Sequence, residues 1–275
     1  MKTQQIYSKN ATYQKFEVLL TNRNKRHKYG EFIVEGVRNI NEAIKNEWKI
    51  ASFIYPQKSE LSQWAKGVLR DIKTDINYEL TGKLMTELSG KVDTSELLAL
   101  IKMKDNTDKP TELSSNPIIA LFDRPSNKGN LGTMLRSCDA FGVELLIITG
   151  HSVDIYDPDV IASSTGSFFS VPFIKLTDNN EIDNYINALK QKYPSMKVIG
   201  TTEDKKTAIY DIDMTTPTLF LLGNEKSGLS YHYLEISDEL ATIPMSEESS
   251  ASSFNVSCAA TVLFYEAVRQ RGRKF

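Results

Sequence analysis

Three stretches of the chain place polar, chemistry-bearing side chains where an apolar run ends. The first, FDRPSNKGNLGTMLRSCDAFG, sets Gly129 and Gly132 where the backbone can be approached closely, and the helix that follows carries Arg136 on its second turn. A strand, a glycine-containing loop and a helix N-terminus together form a generic anion site. Asn130 and Arg136 are six residues apart, on nearby but not identical faces of that helix. The second stretch, TLFLLGNEKSGLS, runs a buried strand into Gly223, Asn224 and Glu225, so that a carboxylate stands at the strand's C-terminal end. Taken alone, Glu225 reads equally well as a turn acid bonding backbone amides. The third, ATIPMSEESSASSFNVSC, leads through a serine-rich loop to Ser253, Phe254 and Asn255 ahead of an Ala-, Leu- and Val-rich helix. Either Ser253 or Asn255 reads as the cap of that helix.

Other chemistries fit poorly. A dinucleotide-binding turn needs G-x-G-x-x-G and an acidic residue closing the next strand, and neither GNLGT nor LLIITG supplies them. The three histidines, His27, His151 and His232, have no metal-ligand spacing. The two cysteines, Cys138 and Cys258, sit in helix-forming sequence and read as packing residues rather than a disulfide or a zinc site.

The surrounding pattern must position these three stretches. Continuous apolar runs of strand length occur at Ile118 to Phe122, Leu145 to Ile148, Lys197 to Thr201 and Thr218 to Leu222. Helical patterns at Leu131 to Phe141, Asn180 to Lys192, Ser230 to Ile236 and Asn255 to about Arg271 alternate with them. Such alternation predicts a mostly parallel sheet of strands buried on both faces, with ligands outside the strands' carboxyl ends. The chemistry is therefore expected in the loops after Phe122, Leu222 and Ile243.

Upstream, a helix from Tyr13 to Leu20, a strand from Glu31 to Glu35, a helix from Val37 to Asn46 and strands near Ile50 to Tyr55 and Leu97 to Ile101 predict a small α/β unit. The polar stretch at 104–117 carries two prolines and reads as a linker. The expected division is a first domain at 1–105, a linker at 106–116 and a second domain at 117–275.

A net charge of −2 argues against indiscriminate coating of nucleic acid, which relies on Lys and Arg neutralising phosphates. Any such contact falls to local patches: Arg23, Lys25, Arg26, His27 and Lys28 near the start, and Arg269, Arg271, Arg273 and Lys274 at the end. No apolar run approaches membrane-spanning length and the N-terminus lacks a signal-peptide core, which predicts a cytoplasmic protein without membrane association.

Taken in order, GNLGTMLRSCDAFG, LLGNEKSGLS, and IPM followed by SSFNVS resemble the three motifs of the SpoU/TrmH family of RNA ribose 2′-O-methyltransferases. The resemblance spans about 117–271 and takes in DPDVIASSTGSFFSVPF. Less specifically, EFIVEGVRNINEAI resembles the ribosomal-protein-like substrate-binding domain that many members carry. The resemblance implies an α/β trefoil-knot methyltransferase domain behind a small α/β RNA-binding domain, a homodimer, S-adenosylmethionine as methyl donor, and no metal. It implies cofactor contacts at Gly223, Ile243, Met245 and Phe254, with Leu222 and Thr201 as weaker ones, and a catalytic set of Asn130, Arg136, Glu225, Ser253 and Asn255. Arg23, Lys25, Arg26 and Lys28 then become the RNA-binding residues.

Within that reading Arg136 is either the general base that the resemblance implies or, since a guanidinium is hard to deprotonate, the group that stabilises developing charge or binds phosphate. Asn130 and Ser253 orient RNA, Glu225 holds Arg136 or Asn130, and Asn255 fixes the loop. The substrate suggested by the extra domain is ribosomal RNA; transfer RNA, or an RNA-binding member that has lost catalysis, are the alternatives. A small-molecule methyltransferase would leave the first domain and the basic clusters without a task. The chain departs from the family in a seven-residue loop at 246–252, which carries Glu247 and Glu248 in place of an expected glycine, and in Phe254, where Leu is usual.

Overall fold

The computed structural model describes residues 2–57, 60–90, 95–104, 112–203 and 206–272. The chain divides into two compact units, Met1–Lys104 with Asp154–Phe169, and Asp105–Val153 with Ser170–Phe275.

The first unit holds β1 (Thr3–Ile6), α1 (Ala11–Thr21), α2 (Arg23–Tyr29), β2 (Glu31–Glu35), α3 (Val37–Lys45), β3 (Ile50–Pro56), α4 (Gln63–Asp71), β4 (Asn77–Leu80), α5 (Gly82–Ser89) and β5 (Leu98–Lys102). Its sheet runs β1-β4-β3-β5-β2, with β5 antiparallel to both neighbours and the remaining pairs parallel. Tyr13, Phe16 and Leu19 of α1 recur at helical spacing and pack on Ile33, Ile54 and Leu100 of the sheet.

The stretch Asp154–Phe169, which the sequence pattern groups with the second domain, belongs to this unit. Aromatic packing explains why: Phe168 lies 5.7 Å from Phe32 and 5.2 Å from Trp48 between ring centroids, and the Trp48 indole N–H donates to the Phe169 carbonyl at 3.0 Å. The helix of this stretch, α6 (Pro158–Ser164 in space with the first unit), is capped by the Asp157 side chain.

Arg26 corrects the expected RNA-binding set. It lies on the inward face of α2 and is 1% exposed. Its guanidinium donates to Asp154 at 2.7 Å, to Asp157 at 3.1 Å and to the carbonyls of Leu19 and Leu20. A buried charge survives only when so paired, and no donor edge is left for phosphate. Arg23 and Lys28 are exposed and Lys25 is half-buried.

The second unit is built from β6 (Ile118–Phe122), α7 (Lys128–Phe141), β7 (Leu145–Thr149), β8 (Phe173–Leu176), α8 (Asn179–Lys192), β9 (Lys197–Thr201), β10 (Thr207–Ala208), β11 (Thr218–Leu222), α9 (Tyr231–Glu235), β12 (Glu239–Thr242) and α10 (Val256–Gln270). Every strand pair of its seven-stranded sheet, ordered β10-β12-β9-β11-β6-β7-β8, is parallel. All residues of β6, β7 and β11 are buried, as expected for central strands covered on both faces. Ile182, Ile186 and Leu189 of α8 pack on one face. On the other, Phe264 of α10 meets Phe220 at 5.7 Å.

From β6 the chain steps outward to β7 and β8, then returns on the far side to build β9 and β11. The neighbours β6 and β11 therefore flank a topological switch point, where a crevice opens at the carboxyl ends of an α/β sheet. Residues 112–117 have no regular secondary structure; the part of the expected linker at 106–111 lies outside the described residues. No helix among the described residues is long and apolar enough to cross a membrane.

At the end of α10, Arg271 donates to the carbonyls of Met214, Asn116 and Thr216, and Arg269 pairs with Glu266 at 2.7 Å. Arg271 thus ties the end of α10 to the segments that precede β6 and β11, while Arg269 pairs within the helix; Arg273 and Lys274 lie outside the described residues. Cys138 is buried as expected for a packing residue, whereas Cys258 is exposed on α10.

Candidate active site

The loops after β6 and β11 are joined through Glu225. One carboxylate oxygen accepts from the Ser126 amide at 2.9 Å and hydroxyl at 2.8 Å; the other accepts from the Asn127 amide at 3.0 Å and the Asn130 side-chain amide at 3.2 Å. Burial pushes the Glu225 carboxyl upward, but these hydrogen bonds outweigh it and hold the group below the usual carboxylate range. It is ionised at neutral pH and is a poor proton acceptor there.

Because an ionised carboxylate only accepts, Asn130 must turn its NH₂ toward Glu225 and its carbonyl oxygen away. That oxygen receives the Asn255 side-chain amide at 2.9 Å. Asn255 in turn accepts from the Ser257 amide at 2.9 Å and caps α10, while the Ser257 hydroxyl donates to the Asn130 backbone carbonyl at 2.8 Å. Glu225, Asn130 and Asn255, from three separate stretches of sequence, form one hydrogen-bonded chain. Glu225 bonds turn amides and Asn255 caps a helix, and each also holds Asn130.

Beside this chain lies a cavity of about 590 Å³, within the range of small-molecule sites. Thr201, Gly223, Ile243, Met245 and Phe254 line it, as do Glu225, Ser253 and Asn255. Leu222 does not: it is fully buried in β11, and its carbonyl accepts the Asp123 amide at 2.8 Å. At Gly223 an added Cβ would sit 2.3 Å from the Leu229 amide nitrogen and 2.4 Å from the Gly228 carbonyl carbon, so only glycine allows the two sides of this turn to close. The wall combines apolar side chains, Leu229, Leu234 and Leu263 among them, with hydroxyls of Thr201, Thr202 and Ser252. A mixed wall, apolar in part and rich in hydroxyl, amide and charged groups, suits a nucleoside, and Phe254, 43% exposed at the rim, offers an aromatic face. Glu247 and Glu248 are exposed and do not line the cavity.

Arg136 stands apart. It is exposed on α7, outside the cavity wall, and has no hydrogen bond or ion pair among the described residues. Of the two partners expected for Glu225, the structure gives Asn130 and not Arg136. Ser126, Asn127 and Asn224 are the residues that sequence reading missed. Asn127 carried one signal, its place as the cap of α7, where its side chain accepts the Asn130 amide. Among the described residues no cluster of three or more His, Cys, Asp or Glu could hold a metal ion.

A parallel α/β sheet whose switch-point crevice holds an acid–amide chain beside a nucleoside-sized cavity defines a cofactor-binding enzyme domain. Residues 117–265 match the model of the SpoU rRNA Methylase family, and residues 10–99 match the SpoU L30e-like domain. This chain belongs to the SpoU rRNA methylase family. It is 39% identical over 267 residues, 97% of its length and 92% of the relative's, to a 23S rRNA (uridine(2479)-2'-O)-methyltransferase of Streptomyces viridochromogenes. It is 24% identical to the 23S rRNA (guanosine(2553)-2'-O)-methyltransferase RlmP of Bacillus subtilis, covering 90% of this chain and 92% of that one. Among solved structures, the SpoU methyltransferase AviRb from Streptomyces viridochromogenes in complex with AdoMet superposes with a TM-score of 0.89 at 38% identity, covering 97% of this chain and 100% of that one.

Proposed function

We propose that this chain is an enzyme that transfers the methyl group of S-adenosylmethionine to a ribose 2′-hydroxyl of 23S-type ribosomal RNA. The observation that carries the reading is the chain Glu225–Asn130–Asn255 on the edge of the cavity. Gly223, Ile243, Met245, Phe254 and Thr201 would hold the cofactor, which supplies an electrophilic methyl group when bound.

The protein's part is positioning and electrostatics. Asn130 is held on both sides of its amide, and Ser253, exposed beside the cavity, offers a hydroxyl to orient RNA. Glu225 is the anchor of this arrangement rather than its base, because the hydrogen bonds that hold its carboxyl below the usual range make it a weak proton acceptor. Arg136 keeps an uncommitted guanidinium to offset negative charge developing on the ribose oxygen, or to grip the neighbouring phosphate. Residues 1–105 would bind RNA, through Arg23, Lys25 and Lys28 but not Arg26. The C-terminal domain is read as a trefoil knot and the protein as cytoplasmic.

A homodimer through the second unit is part of the same reading. Tyr265 on α10 is 52% exposed and rests against Phe141 of α7 at 6.3 Å, a large apolar side chain left on the seam of two helices. Sedimentation is expected to show a dimer at micromolar concentration, with an interface of at least about 1,000 Å²; a monomer throughout would contradict it. The cellular test of the function is a map of 2′-O-methylation in total RNA with and without the protein. One ribosomal site should vanish with it; an unchanged map, or loss confined to transfer RNA, would overturn the assignment to ribosomal RNA.

A further inference from the structure

Asn224 ties together the backbone of two cationic residues, Arg124 and Lys226, beside the Glu225 anchor. Its side-chain NH₂ donates to the Arg124 carbonyl at 2.6 Å, and its oxygen accepts the Lys226 amide at 2.9 Å. Arg124 follows β6 and Lys226 follows β11, so the two residues leave the ends of adjacent strands. Arg124 also lies across the end of β7, since an added Cβ at Gly150 would meet its Cγ at 2.8 Å.

Arg124 is set in place at a backbone cost. Its φ of 48° is in the left-handed region, unusual for a residue with a side chain. Holding it there are the Asn224 amide, a hydrogen bond between its own amide and the Thr149 hydroxyl at 3.3 Å, and the Asp123 carboxylate. Asp123, only 2% exposed, accepts from the Arg124 Nε at 2.9 Å and Nη2 at 2.8 Å, and also from the Thr149 hydroxyl and the Ser230 amide. That uses one edge of the guanidinium. The side chain is 41% exposed, and its other N–H groups have no partner among the described residues. Lys226 is exposed on the cavity rim, and its ammonium has no ion-pair partner among the described residues.

We propose that Arg124 and Lys226 form a clamp for the RNA phosphodiester backbone beside the target nucleotide. The inference rests on the methyltransferase reading above. A guanidinium fixed along one edge presents a pre-organised donor fork at its other, suited to phosphate oxygens, and Lys226 adds a flexible point charge. Such contacts set register and do not read sequence. The catalytic domain then supplies phosphate contacts of its own, and Asn224 couples them to the loop that positions Asn130.

The test uses the full chain and its Arg124→Gln, Lys226→Gln, double Gln and Arg124→Lys variants. Each is titrated with unmodified 23S rRNA transcript and with polyuridylate across a salt series, and S-adenosylmethionine binding is measured in parallel. Each Gln substitution should lower the slope of log affinity against log salt by about 0.7–0.9, by about twice that together, and equally for both RNAs. Arg124→Lys should keep most of the slope. If Arg124→Gln does not fold, Lys226→Gln decides alone. Wild-type slopes in the Gln variants would overturn the clamp and leave the methyltransferase reading intact. A loss of S-adenosylmethionine affinity beyond about tenfold would also overturn it, by placing these residues in the cofactor pocket. Failure of the wild type to bind or methylate any RNA would remove both.

Discussion

Replacing Arg136 by Ala is expected to slow methyl transfer about 10²–10³-fold while S-adenosylmethionine binding persists. That range is typical for removing one group that stabilises developing charge. Arg136 is exposed, has no ion-pair partner among the described residues and lies outside the cavity wall, so neither the fold nor the pocket depends on it. Stability should change by no more than about 0.5 kcal/mol, as for most surface substitutions. Lys restores the charge without the planar fork: a purely electrostatic role gives partial rescue, and a bidentate grip on phosphate gives little. Single-turnover methylation at saturating RNA, with calorimetric cofactor titration, checks this. An Ala variant at the wild-type rate would remove Arg136 from catalysis, and one that loses the cofactor would make it part of the pocket.

Replacing Glu225 by Ala should cost about 10² in the same assay, the scale of a displaced positioning group. Replacing it by Gln should cost nearly as much, which is the more telling result. Both carboxylate oxygens accept hydrogen bonds from the protein, and a side-chain NH₂ at either place would face donors with a donor. Asn130 then loses the contact that sets its orientation, and Asn255 loses a fixed acceptor. The pH dependence follows from the lowered carboxyl. A group whose folded pKa is depressed stabilises the fold above its unfolded value of about 4.3 and loses that contribution as pH falls through the folded value. Activity at pH 6–8 should therefore show no inflection from Glu225. A Gln variant with wild-type kcat, or an inflection near neutrality abolished by Glu225→Gln, would contradict the anchoring role.

The catalytic fold was legible because its central strands are buried on both faces and read as unbroken apolar runs. Ile118–Phe122, Lys197–Thr201 and Thr218–Leu222 are strands with the bounds that the pattern predicts. β8 was not singled out: its side chains alternate between half-buried and buried over only four residues, a weak signal. α2 was hidden too, since RNKRHKY reads as a charge run. Nothing local shows that Arg26 faces inward, because Asp154 and Asp157 lie 128 and 131 residues away in sequence. The same long-range packing moves Asp154–Phe169 out of the second unit.

At the site, the motifs identified Asn130, Glu225 and Asn255, and the structure adds how they are joined. Ser126 and Asn127 escaped notice because much of their contribution comes from backbone amides, which no residue type announces. Asn224 escaped because its bond to the Arg124 carbonyl spans 100 residues. Leu222, a weaker cofactor contact implied by the resemblance, has its side chain in the core.

The atom that receives the methyl group decides between ribose and base methylation. Unmodified 23S rRNA transcript, the full chain and S-adenosylmethionine labelled on its methyl carbon should be incubated together and the RNA digested with alkali. Alkaline cleavage needs a free 2′-hydroxyl to attack the adjacent phosphate, so methylation there protects one linkage. Label is expected in an alkali-resistant dinucleotide from a single position. Label released in ordinary mononucleotides would place the methyl group on a base, and no incorporation into any RNA would contradict the assignment as an enzyme.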